Sequence, residues 1–135
     1  MNQKILSIDD SKTIRLILAR MFRPFQVELR EAGNGEEGLT QAKKVRPDLI
    51  ILDYNMPVMD GVTMLQHLRH DQNLKSIPVI MLTAESNPKI ISTVARLGVR
   101  DYIVKPFQEQ PLLAKVSKII PLHLQATASS IPPSS

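Results

Sequence analysis

The sequence predicts an α/β fold, a doubly wound five-stranded parallel sheet flanked by five helices. Two patterns and a length lead to it. Five short runs rich in β-branched residues alternate strictly with stretches of helical periodicity, as successive strand–helix units do. The middle runs, "DLIILD" and "IPVIML", are apolar at nearly every position, which suits strands covered on both faces. At 135 residues with 43% hydrophobic content there is room for one domain and one core, so a stand-alone domain is expected. Right-handed crossovers then restrict the sheet to a few doubly wound strand orders.

The first strand is "KILSI" (4–8). The helix after it covers about 11 to 22, where Ile14, Ile17, Leu18 and Met21 recur at i, i+3, i+4 and i+7 and Pro24 helps to end it. "VELREA" (27–32) is the second strand. "NGEEGLTQAKK" opens with Asn34 as a cap and turns Leu39 and Ala42 inward, although Gly38 costs about 1 kcal/mol relative to Ala. The third strand, "DLIILD" (48–53), leads into "VTMLQHLRH", whose Val62, Leu65 and Leu68 share a face. The fourth, "IPVIML" (77–82), leads into "SNPKIISTVARLG", with Asn87 as cap, Pro88 at the first helical position and Gly98 as the stop. "DYIV" (101–104) is the fifth strand. The last helix begins near Gln108 and ends before Pro121, with Leu112, Val116 and Ile119/Ile120 inward. The domain is expected over 1–122, and residues 123–135, ending in "QATASSIPPSS", have the composition of a disordered Ser/Pro tail.

Composition removes several functions. There is no cysteine, which excludes disulfides, thiolate metal sites and a catalytic thiol, and points to a reducing compartment. No apolar run approaches the roughly 18 residues that span a bilayer, and "MNQKILSIDD" has no secretory h-region, so no membrane partner and a cytoplasmic location are expected. Seventeen basic residues exceed thirteen acidic ones, yet they are scattered, and two Tyr and three Phe offer little to stack on bases. A nucleic-acid partner is not expected.

In a sheet of this kind ligands sit beyond the carboxyl ends of the strands. The residues there are Asp9 and Asp10 after the first strand, Asp53 after the third, Thr83 after the fourth and Lys105 after the fifth. Three carboxylates this close repel by about 4 kcal/mol per pair at 4 Å and an effective dielectric near 20. A cation must answer them. Mg²⁺ suits such a site, since it takes oxygen ligands and is commonly held by one or two carboxylates plus a phosphate oxygen. With the Lys105 ammonium and the Thr83 hydroxyl added, the set looks arranged to receive a phosphoryl group at Asp53, the carboxylate serving as nucleophile.

"SIDDS", "LDYNMPVMDG", "MLTAES" and "DYIVKPF", in this order and at these intervals, resemble the motifs of response-regulator receiver domains of two-component signalling, here a single-domain, chemotaxis-regulator-like one. The resemblance covers residues 3 to about 122. It implies a flavodoxin-like sheet in the order 2-1-3-4-5, phosphorylation of Asp53 by a histidine kinase or phosphotransfer protein, and Mg²⁺ held by Asp9, Asp10, Asp53 and the main-chain carbonyl of Asn55. It also implies that Lys105 pairs with the phosphoryl oxygens and that Lys105–Pro106 is cis. Thr83 would swing towards the phosphoryl group, with Tyr102 as the switch aromatic, and Asn55 and Glu85 would tune hydrolysis. The output would be a protein-binding surface formed by the fourth helix, fifth strand and fifth helix, on a monomer or weak dimer. The domain would be no enzyme beyond assisting its own phosphorylation and dephosphorylation.

Single residues also have plain structural roles open to them. Asp10 or Asp53 could cap a helix or turn, Thr83 could be a cap, Lys105 a solvated charge, Tyr102 a core or edge tyrosine. Two rival functions share part of the pattern. A haloacid-dehalogenase-like phosphatase uses an aspartyl phosphate too, but its nucleophile ends the first strand in an Asp-x-Asp pattern, whereas here the two aspartates are adjacent. The other rival is a receiver-like module that binds partners without being phosphorylated.

Overall fold

The computed structural model describes residues 2–56, 58–84 and 87–125. Along the chain they form β1 (Gln3–Ile8), α1 (Lys12–Phe22), β2 (Val27–Ala32), α2 (Gly35–Val45), β3 (Leu49–Asp53), α3 (Gly61–His70), β4 (Val79–Thr83), α4 (Pro88–Arg96), β5 (Asp101–Val104) and α5 (Glu109–Ser117). All strand pairs are parallel and the order is β2-β1-β3-β4-β5, the flavodoxin-like arrangement. The fold is the one expected.

Because side chains alternate across a strand, the apolar runs feed two cores at once. Leu6, Ile8, Ile50 and Leu52 face α2, α3 and α4, where they meet Ala42, Met64, Leu65, Leu68 and Val94. Ile5, Leu49 and Ile51 face α1 and α5, against Leu18, Met21, Phe22, Leu112 and Val116. Every residue of β3 and of β4 is buried, so the sheet centre is a rigid platform for whatever its strand ends carry.

Some local readings shift. Ile17, expected inward, is 39% exposed, and α1 instead buries Leu18, Met21 and Phe22 with Ile14 half-buried. The true stripe is i, i+4, i+7 and i+8, rotated to seat the large Phe22 ring. Gly38, a propensity cost on paper, has a packing reason: a Cβ there would stand 2.7 Å from Ile8 Cδ1, so its absence lets α2 lie close on β1. β4 begins at Val79 and not at Ile77, because Pro78 has no N–H to give the ladder; its carbonyl still accepts from Ile50 at 3.0 Å.

Past α5, residues 123–125, assigned by composition to the tail, run antiparallel to the segment entering β2. The Gln26 N–H donates to the His123 carbonyl at 2.7 Å, and the Gln125 N–H to that of Pro24 at 2.8 Å. The rest of the expected tail, 126–135, lies outside the described residues. Among the described residues no helix is long and apolar enough to cross a membrane.

Candidate functional site

The carboxyl ends of β1, β3, β4 and β5 converge, and the polar residues there are buried against the sheet. Asp9, Asp53 and Thr83 are 1%, 3% and 2% exposed. Asp10 is exposed. Oxygens of Asp9, Asp10 and Asp53 all lie within 4.8 Å of one another. The Lys105 ammonium, carried past the end of β5, donates to Asp9 Oδ2 at 3.1 Å and to Asp53 Oδ1 at 3.0 Å. Among the described residues, Lys105 is the cation hydrogen-bonded into the cluster, and it meets two of the three carboxylates.

The backbone holds each group in place. The Asp9 N–H donates to the Ala32 carbonyl, and the Ser11 N–H donates to Asp9 Oδ1 at 2.8 Å. The Lys105 N–H donates to the Thr83 carbonyl at 2.7 Å, which fixes where the side chain departs, and the following peptide bond, Lys105–Pro106, is cis. After β3 the chain doubles back: the Gly61 N–H donates to the Tyr54 carbonyl at 2.9 Å. A Cβ on Gly61 would meet the Asp53 carbonyl oxygen at 2.5 Å, so only glycine lets α3 start this close to the acidic strand end.

Helix capping falls to other residues. Ser11 caps α1 with its hydroxyl on the Ile14 N–H, Asp60 caps α3 through the Thr63 N–H, and Asn87 caps α4 through the Lys89 N–H. Asp10 and Asp53 are thus spared for the cluster. Tyr102 sits half-buried on β5, against the core beneath α2, α3 and α4. Asn55 is exposed, and its backbone amide helps to hold the Asp53 carboxyl down. Glu85 lies outside the described residues.

Electrostatics follow from this crowding. Burial pushes the Asp53 carboxyl up, the Lys105 hydrogen bond pulls it down, and the Asp9 charge pushes it up again, for a result of about 6 against an ordinary 3.8. Burial opposes the Lys105 charge, but the hydrogen bond and charge of Asp53, aided by Asp9, outweigh it and hold the ammonium above its ordinary value. The three carboxylates around one ammonium form a donor set that suits an oxygen-loving divalent ion. Two contributors escaped the sequence reading. Arg15 donates to the Asp9 carbonyl and to Glu31 Oε1, bracing the turn that carries Asp9 and Asp10. Ser11 both caps α1 and fixes Asp9. The Ser directly after "DD" was the signal for the second; a lone arginine gave none for the first.

A flavodoxin-like sheet that gathers an acidic cluster, a threonine and a lysine at these strand ends defines a phosphoacceptor domain of two-component signalling. The chain belongs to that family: the response regulator receiver domain matches residues 5–117. It is 40% identical over 119 residues to the chemotaxis protein CheY-3 of Vibrio cholerae, covering 87% of this chain and 92% of that one. Chemotaxis protein CheY4 of Vibrio cholerae superposes with a TM-score of 0.84 at 33% identity, covering 89% of this chain and 100% of the other. The receiver domain of the sensor histidine kinase PA1611 of Pseudomonas aeruginosa, with a magnesium ion coordinated in its active-site cleft, superposes with a TM-score of 0.80 at 25% identity, covering 88% and 98%.

Proposed function

We propose that Asp53 is the phosphoacceptor of this receiver domain and that Asp9, Asp10, Asp53 and the Asn55 carbonyl hold Mg²⁺ beside it. The observation that carries the reading is the Lys105 ammonium shared between Asp9 and Asp53 within a three-carboxylate cluster. An Asp53 oxygen attacks the phosphorus of a phosphohistidine on a histidine kinase or phosphotransfer protein. The N–P bond breaks as the acyl phosphate forms, its electron pair going to the ring nitrogen, and the histidine, protonated on its other ring nitrogen, leaves as neutral imidazole. Mg²⁺, when bound, neutralises phosphoryl oxygens and acidic neighbours together. Lys105, already at hydrogen-bond distance from Asp53, passes to the new phosphoryl oxygens. Thr83 offers its hydroxyl, and Ala84, small and exposed, leaves the approach open.

In this reading Thr83 and Tyr102 relay the change to the surface of α4, β5 and α5, which a protein partner reads. β5 and α5 act as one unit there, since Lys115 of α5 donates to both carboxylate oxygens of Asp101 at 3.0 Å. Asn55 and Glu85 flank the site and tune hydrolysis, so the domain assists only its own phosphorylation and dephosphorylation. The test is intact-mass spectrometry after acetyl phosphate, with and without Mg²⁺, on wild type and Asp53→Asn. One phosphoryl adduct that needs both Mg²⁺ and Asp53 is expected. An adduct that persists in Asp53→Asn would overturn the assignment.

A further inference from the structure

Arg69, on the last turn of α3, is half-buried and spends its guanidinium on four backbone carbonyls. Nε donates to Leu97 at 2.8 Å and Nη2 to Gly98 at 3.1 Å, both just past α4; Nη1 donates to Lys75 at 2.9 Å and Ile77 at 3.1 Å, in the segment entering β4. We propose that Arg69 anchors the carboxyl end of α4, making that helix a lever whose looser end is its amino end, the end that follows Thr83 in the chain.

The local chemistry of α4 supports this division. Its carboxyl end closes in a Schellman motif: the Val99 N–H donates to the Val94 carbonyl, the Gly98 N–H to that of Ala95, and Gly98 takes φ 81°. That motif consumes carbonyls inside the helix and leaves those of Leu97 and Gly98, which Arg69 takes. A planar fork suits this task, because four acceptors at fixed angles are met by one rigid group and not by an ammonium. Val94, the one fully buried side chain of α4, lies in the same half, and Val99 packs on the same core. The amino half offers less: Ile90 and Ile91 are half-buried, and Pro88, Lys89, Ser92 and Thr93 are exposed. The anchored end leads into β5 through Arg100, whose N–H donates to the Val79 carbonyl. A push at the Thr83 end thus tilts α4 about a point fixed to the sheet.

The role in switching rests on the proposed function; the anchor itself does not. The first experiment is NMR-detected amide exchange on wild type, Arg69→Gln and Arg69→Lys without ligand. Protection of residues 95–99 is expected to fall about tenfold or more in Arg69→Gln and by a lesser factor in Arg69→Lys, while residues 91–94, β3 and β4 change by less than about threefold. Loss spread evenly along α4, loss across the whole fold in both variants, or no loss overturns the anchor. The second adds Mg²⁺ and beryllofluoride, a phosphoryl mimic. Wild type is expected to change exchange at 87–92 and not at 95–99, and Arg69→Gln at both. An equal change at both ends of the wild-type helix overturns the lever. Absence of any change around Asp53 overturns the phosphoacceptor reading instead, and the ligand-free comparison still decides the anchor.

Discussion

Replacing Asp53 by Asn should make the ligand-free protein more stable at neutral pH, although it removes a hydrogen-bonded, buried side chain. Asp53 holds its proton up to about pH 6 in the folded chain, against 3.8 ordinarily. The sign follows from proton counts: between pH 4 and 6 the folded state keeps a proton that the unfolded state has released, so stability falls as pH rises. Below about pH 4 the group contributes nothing, and above about 6 its whole penalty is present. The span from 3.8 to about 6, at about 1.36 kcal/mol per pKa unit, is worth about 3 kcal/mol, and water at the mouth of the site screens it to about 1–3 kcal/mol. Urea unfolding in EDTA at pH 4 and pH 8 measures it. Asp53→Asn should gain about 1–3 kcal/mol at pH 8 and nearly nothing at pH 4. A variant less stable than wild type at pH 8, or a difference that does not shrink on acidification, would refute the account of Asp53 as electrostatically strained.

Mg²⁺ at 100 times its Kd should raise wild-type stability by about 2.7 kcal/mol, and Asp10→Asn should lose at least about half of that gain at equal ion concentration; equal thermal shifts in the two proteins would remove Asp10 from the metal site. In α1, Leu18→Ala should cost about 2–5 kcal/mol and Ile17→Ser less than about 0.5, reversing their equal standing in the sequence pattern. Comparable losses in denaturant melts would contradict the observed helix face. Ser7, fully buried in β1, has a hydroxyl with no hydrogen-bond partner among the described residues, so Ser7→Ala should be stabilising by about 1 kcal/mol, and a loss of that size in the same melts would mean the hydroxyl is satisfied.

Much of this was legible because period and burial coincide. Runs such as "LIIL", short, apolar throughout and bounded by turn residues, read as strands covered on both sides, and once the sheet is parallel, residues distant in sequence, such as Asp9, Asp53 and Lys105, meet at one edge. Neighbourhood in the cluster is therefore a consequence of strand order. What periodicity does not encode is which polar group wins a local contest. Asp10 and Ser11 are both good caps, and only the turn geometry gives the cap to Ser11 and leaves Asp10 to the cluster. Arg15 and Arg69 carry no such signal, since nothing in spacing shows that Arg15 reaches the Asp9 carbonyl and the Glu31 carboxylate, or that Arg69 meets backbone carbonyls from two other segments. Ile17 was misjudged because a stripe counted from the first apolar residue omitted Phe22 at its end.

The charge at the end of the most apolar segment now has a physical meaning. β3 is buried along its whole length, so Asp53 is presented by a wall that cannot relax, with Asp9 fixed next to it by the Ser11 N–H and one ammonium shared between them. A flexible pair of carboxylates would separate and lower its repulsion. This pair is held together, and burial of Asp53 first, with the Asp9 charge adding to it, raises the proton affinity of Asp53. The same rigidity suits the site to a divalent cation and to a phosphoryl group that arrives with it: each needs several oxygens and an ammonium at fixed separation, and reorganising a looser site would consume the binding energy. Asp53 in this environment should be a poor nucleophile while protonated, so phosphorylation by acetyl phosphate at sub-saturating Mg²⁺ should fall away below about pH 6, and saturating Mg²⁺ should move that limit to lower pH. A pH profile of adduct formation that Mg²⁺ leaves in place would mean that metal and nucleophile do not share the Asp53 carboxylate.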